Sequence, residues 1–148
     1  MKIILTSGEL MLAAIMGSTR QVRSITSGKQ HRHGADKEKG FAMHITGAIG
    51  EMVVSKHLGI YYVGGGDVKA PDLTNGDKVR CTPMSDGCLI LHPDDKPHAR
   101  YWLVTGSVNG TEFHVRGSII AQDGMLDKYW RDDVREPAYF VPQGALVL

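Results

Sequence analysis

The sequence predicts an α+β domain in which a central, mostly antiparallel or mixed sheet is flanked by helices. Three observations carry this reading. Two apolar stretches with helix punctuation occupy the chain up to Gly59, and beyond it the apolar period changes to that of strands. Turn-forming Gly, Asn, Asp and Pro clusters separate those strands. With 148 residues, 42% of them hydrophobic, and no break in composition, the chain reads as one domain over residues 1–148.

The elements follow in order. Ser7 is a good N-cap, and Leu10, Leu12, Ile15 and Met16 supply apolar positions for a helix over about residues 8–23. Residues 26–34 are polar, carry Ser27, Gly28 and Gly34, and show no period, so they read as a connection. A second helix runs from near Glu38 to His57, with Phe41, Ile45, Ile49, Met52 and Val53 inward and Gly59 as its stop. Gly47 and Gly50 interrupt it at up to ~1 kcal/mol each against alanine; each is tolerated, or marks a close approach of backbone or ligand. Strands are expected at 60–63, 77–82, 88–91, 101–108 and 111–120. Asn75-Gly76, Ser85-Asp86-Gly87, Pro93-Asp94-Asp95 and Asn109-Gly110 supply turns between them. A short helix around Met125–Arg131 and a final extended run at Tyr139–Pro142 complete the chain.

Charge sets the partner classes. The net charge of +1 gives no global attraction to a polyanion, so any such site is local. Between Arg20 and Lys39 six cations face two acids, a local excess of +4 with His31 and His33 alongside. Residues 121–136 hold three cations against five acids, or −2, and read as a solvated surface. The basic segment reads equally as a solvated loop or as a phosphate contact through Arg20, Arg23, Lys29 and Arg32. No apolar run approaches the roughly 20 residues that span a bilayer. With only Cys81 and Cys88 and no secretory leader, a cytoplasmic chain with reduced thiols is expected.

Candidate chemistry gathers around Glu51. On a helix His44, Gly47, Glu51 and Ser55 fall on one stripe, and Glu51 is followed by Met52, Val53 and Val54. It is therefore either a surface acid beside the apolar face or a buried acid in need of a partner. In a strand, Lys78 and Arg80 point to one side and Val79 and Cys81 to the other, with Asp72 just upstream after Pro71. Two convergent carboxylates can hold a hard cation such as Mg²⁺, which polarises a phosphate and acidifies a bound water. A strand cation would steady the developing charge. Each residue alone reads more readily as a turn or surface residue; only the combination points to a phosphate-handling site.

Several segments, taken in order, resemble small phage-type proteins of the PD-(D/E)xK nuclease superfamily. They are Gly47-Ala48-Ile49-Gly50-Glu51, Pro71-Asp72, Val79-Arg80-Cys81-Thr82, Leu89-Ile90-Leu91, Tyr101-Trp102-Leu103-Val104-Thr105-Gly106 and Pro137 to Pro142. The resemblance implies a restriction-endonuclease-like core, DNA as substrate, Mg²⁺ or Mn²⁺ as cofactor, and Glu51 and Asp72 as metal ligands. It places Arg80 where the motif lysine stands and lays the (D/E)xK triplet on Lys78-Val79-Arg80. Here the chain departs from the pattern, because Lys78 stands where the strand acid belongs and repels a metal. Asp77 through a bulge, or Asp67, could supply the missing oxygen; otherwise the site is inactive.

The expected functions are thus a metal-dependent DNA endonuclease, weakened or silenced by Lys78, or a non-catalytic nucleic-acid or protein-binding module on the same fold. A purely structural protein is the third alternative. Oligomerisation is compatible with all three. The seven histidines show no HxxxH or Cys/His zinc spacing, and Gly64-Gly65-Gly66 lacks the lysine of a phosphate-binding loop.

Overall fold

A computed structural model describes residues 1–28, 39–64 and 72–148. The fold is α+β. In chain order its elements are β1 (Lys2–Ile4), α1 (Ser7–Thr26), α2 (Gly40–Leu58), β2 (Lys78–Thr82), β3 (Leu89–Leu91), β4 (Arg100–Thr105), β5 (Glu112–Ile120), α3 (Ala121–Gly124), β6 (Trp130–Arg131) and β7 (Ala138–Val141). Short 3₁₀ turns lie at Asp127–Tyr129 and Gln143–Ala145.

Two sheets organise the chain. The larger is mixed, in the order β1-β5-β4-β2, with β2 parallel to β4 and the other pairs antiparallel. A parallel pair needs a crossover, and this one passes through β3, which joins β7 and β6 in a second, antiparallel sheet. Alternation along β4 shows how the layers stack. Trp102 and Val104 enter a core with Ala48, Ile49, Met52 and Val53 of α2, while Tyr101 and Leu103 enter another with Leu89, Leu91 and Val141. Residues 101–105 are all buried, because β4 is covered on both faces.

Close approaches place the helices. A Cβ on Gly17 of α1 would lie 2.5 Å from the Ile45 Cα of α2, so only glycine lets these backbones meet. A Cβ on Gly50 would lie 2.7 Å from the Cys81 Cβ, which seats α2 directly on β2; at Gly47 nothing comes within 4 Å. Of the two interrupting glycines, Gly50 is a packing requirement. Gly47 is tolerated.

The sequence expectations needed several corrections. Thr6, not Ser7, caps α1, closing a capping box in which the Glu9 N–H donates to the Thr6 hydroxyl and the Thr6 N–H to the Glu9 carboxylate. The face of α1 turned inward carries Ala13, Gly17 and Gln21, while Leu12 and Ile15 are exposed, because small residues are what a close helix pair accepts. Phe41 is also exposed. Residues 60–63 pair with no strand, and β1 was not foreseen. Instead of a helix, residues 125–131 hold a 3₁₀ turn and β6. No described helix is long and apolar enough to cross a membrane.

Candidate functional site

Glu51 is buried, at 5% exposure, in the C-terminal half of α2. Its partner is Arg20 of α1. The two Arg20 Nη atoms donate to the two carboxylate oxygens at 2.7 and 2.5 Å, a fork-to-fork pair between helices 31 residues apart in sequence. Burial pushes the Glu51 carboxyl above its ordinary value of 4.5, and the Arg20 hydrogen bonds and charge pull it back only in part. For Arg20 burial is again the largest single influence and works against its charge, but the hydrogen bonds and charge of Glu51, with the charges of Tyr62 and Asp72, together raise its pKa. The asymmetry follows from exposure, 19% for the Arg20 side chain against 6% for Glu51, so the acid is the more thoroughly stripped of water.

Asp72 and Lys78 stand next to this pair. Asp72 Oδ1 accepts from Lys78 Nζ at 3.2 Å, and Oδ2 accepts from the Val79 N–H at 2.8 Å. Both residues act on Glu51, Asp72 raising its pKa and Lys78 lowering it, and the Asp72 charge also reaches Arg20. The tyrosine at 62 lies in the same field. Its hydroxyl is buried without a hydrogen-bond partner among the described residues, and burial, then the Glu51 charge, push its pKa up. Lower on the same helix stripe, Ser55 Oγ is likewise buried and unpartnered.

The structure therefore brings together four of the sequence candidates, Glu51, Asp72, Lys78 and Arg20, the last from the expected phosphate contacts, and adds Tyr62 to them. Arg80 goes elsewhere. Its Nη2 donates to both oxygens of Asp95 at 2.9 and 3.1 Å, and its guanidinium lies 5.1 Å from the centre of the Tyr101 ring, beside the second core. Arg20, expected among the phosphate contacts, is instead held inside the fold by Glu51. Arg23 is exposed, while Lys29, Arg32 and Asp67 lie outside the described residues. Asp77 does not replace the missing strand acid: its carboxylate accepts from the Trp102 indole at 2.8 Å and from Asn75 Nδ2 at 3.0 Å.

Chemically, the cluster alternates two carboxylates with two cations and is neutral as a unit. Every carboxylate oxygen in it already accepts from a cation or a backbone N–H. A hard dication would take the place of Lys78 and share Glu51 with Arg20, so the donors as arranged do not fit it. Among the described residues no group of three His, Cys, Asp or Glu side chains is placed to hold a metal. Arg20 was hidden from sequence reading because helix packing, not spacing, makes it a neighbour. The signal available was the burial of Glu51, which demands a cation from somewhere. Asp95 was legible as a turn residue but not as an acceptor. No family model, curated protein or solved structure matches the chain.

Proposed function

We propose that this chain is a DNA-binding module on a nuclease-like α+β layout that does not hydrolyse its ligand. The observation that carries the reading is the fork-to-fork Arg20–Glu51 pair, with Lys78 on Asp72 beside it. Side-chain cations stand where a hydrolytic centre would gather metal. The DNA contact belongs to the connection between the helices: with Arg20 engaged by Glu51, residues 23–39 still hold five cations against two acids, a local excess of +3. Free thiols at Cys81 and Cys88 suit a reducing, cytoplasmic setting.

The test is a mobility-shift and cleavage experiment on double- and single-stranded DNA with Mg²⁺, Mn²⁺ or EDTA. Salt-weakened binding without metal-dependent cleavage is the expected result, and Arg23→Ala lowers the slope of log affinity against log salt by about 1. Cleavage that needs metal and disappears in Glu51→Ala overturns the reading.

One observation favours a second reading. Glu51 and Asp72 lie in one cluster, each carboxylate carrying a side-chain cation whose loss would free it. In that reading Glu51 and Asp72 would hold Mg²⁺ or Mn²⁺ only once Arg20 and Lys78 had released them, an arrangement other than the one described, and the metal would supply Lewis acidity for phosphodiester hydrolysis. Calorimetric Mn²⁺ titration of the natural chain beside Glu51→Ala separates the two. Heat of binding in the first and none in the second would favour the nuclease.

A further inference from the structure

The outer face of α1 is unlike a solvated helix. Met11, Ile15, Val22 and Ile25 are 63%, 55%, 49% and 59% exposed, and no charged residue occurs between Leu10 and Thr19. The inner face is taken by Ala13 and Gly17 against α2, so the middle of the helix is apolar all round. Such a helix is ordinarily covered on every side. Along the outer face Met11, Ile15, Ser18, Val22 and Ile25 follow one another at intervals of 4, 3, 4 and 3, the spacing of a straight knobs-into-holes seam. Ala14, Ser18 and Thr19 line the same shallow groove as Met11, Ile15 and Val22, low enough to receive side chains from a facing helix.

We infer that this face is a two-fold dimer contact, in which α1 of one copy packs antiparallel against α1 of a second copy about Ser18. The occupant is argued from the pattern itself. The seam is nearly symmetric about Ser18, with Met11 and Ile25 each seven residues away and Ile15 and Val22 three and four, so reversing one helix sets Met11 against Ile25 and Ile15 within one residue of Val22, a self-complementary match of the kind a two-fold axis requires. Antiparallel pairing also brings the first turn, where Glu9 is already bonded to Lys56 and the Thr6 cap, towards the partner's last turn with Arg23. Parallel pairing would set like charge beside like and align the helix dipoles. The exposed parts of Met11, Leu12, Ile15, Val22 and Ile25 amount to on the order of 500 Å² per copy, so two copies bury about 1,000 Å², the lower bound of a specific interface. The dimer rests on apolar residues outside the basic connection and does not depend on the DNA reading, with which it shares Arg23 alone.

The test uses sedimentation equilibrium of the full chain over a range of concentrations. A monomer–dimer equilibrium is expected, and Ile15→Glu, placed in the middle of the seam, weakens it at least about 100-fold. Because Ile15 is solvent-exposed, this variant should keep the wild-type circular dichroism and melting temperature, which separates lost association from lost folding. Orientation is read by cross-linking in a Cys88→Ser background. A mixture of Met11→Cys and Ile25→Cys chains should join across the interface, and Met11→Cys alone should not. A monomer up to about 0.5 mM, a dimer indifferent to Ile15→Glu, or self-joining of Met11→Cys each overturns the proposal; the first of these assigns the face to a different chain.

Discussion

Arg20–Glu51 and Arg80–Asp95 lie on opposite faces of the four-stranded sheet, and they bind different kinds of distance. The first joins α1 to α2 across 31 residues, with side-chain exposures of 19% and 6%. The second spans 15 residues and is more open, at 35% and 13%, and its acid also accepts from the His92 N–H in a local turn. The helix pair has no alternative acceptor in water if it breaks, whereas the strand pair can be partly replaced by solvent. Similar chemistry therefore serves two ends: one pair holds a tertiary contact, and the other shapes a turn.

The largest expected effect follows from breaking the more buried pair. Glu51→Ala strands the Arg20 charge in the fold and should cost about 3–5 kcal/mol in urea unfolding, while Arg20→Met combined with Glu51→Leu should recover most of it. A loss no greater than that of Asp95→Ala would abolish the distinction between the pairs. Next in size is Gly50→Ala beneath the helix face. The new methyl meets the Cys81 Cβ, and the expected loss of about 1–2 kcal/mol is net of the gain in helix propensity. Gly124→Ala on the opposite face meets side-chain methyls alone, those of Leu91, Val141 and Ile119, and thermal melts should show a smaller loss. Asp95→Ala should cost about 1 kcal/mol, since Arg80 is over a third exposed and its charge is screened by water.

The smallest effect is a pH dependence. The Glu51 carboxyl holds its proton more tightly in the fold than in the unfolded chain, because its pKa is raised above 4.5, chiefly by burial. Its contribution is thus most favourable at the acid end and declines as pH rises from 4.5 through the folded value. Unfolding free energies of the natural chain, compared with Glu51→Gln at successive pH values, should drift in favour of the variant over that window and then level off. A constant difference, or a drift in the opposite sense, would mean that Arg20 outweighs burial.

Much of the fold was legible because its signals are local. The change of period at Gly59 separated helices from strands, and Asn75-Gly76 and Asn109-Gly110 marked the turns before β2 and β5. What escaped depended on distant partners. β1 becomes a strand by pairing Lys2 with His114, and residues 60–63, rich in strand-forming side chains, pair with no strand among the described residues. Thr6 could have been found as the cap, since Glu9 lies three residues on and completes the box; Ser7 has Leu10 there. On the inward face of α1 size decides rather than hydrophobicity: Gly17 sits against backbone, and Ile15 does not fit there. At the site, a buried acid was readable from Glu51 and its apolar neighbours, and its cation was not, because that depends on how closely two helices cross.

Asp72 has a consequence beyond the cluster. β2 is the outermost strand of its sheet, a place where an unanswered row of N–H groups templates strands from other molecules. The Asp72 carboxylate closes over the Val79 N–H, and Lys78 and Arg80 set charge along the same border. An incoming strand would have to displace an acid and desolvate cations before it gained its first hydrogen bond. Asp72, Lys78 and Arg80, offered by the sequence as catalytic, thus make this border a poor template for a further strand.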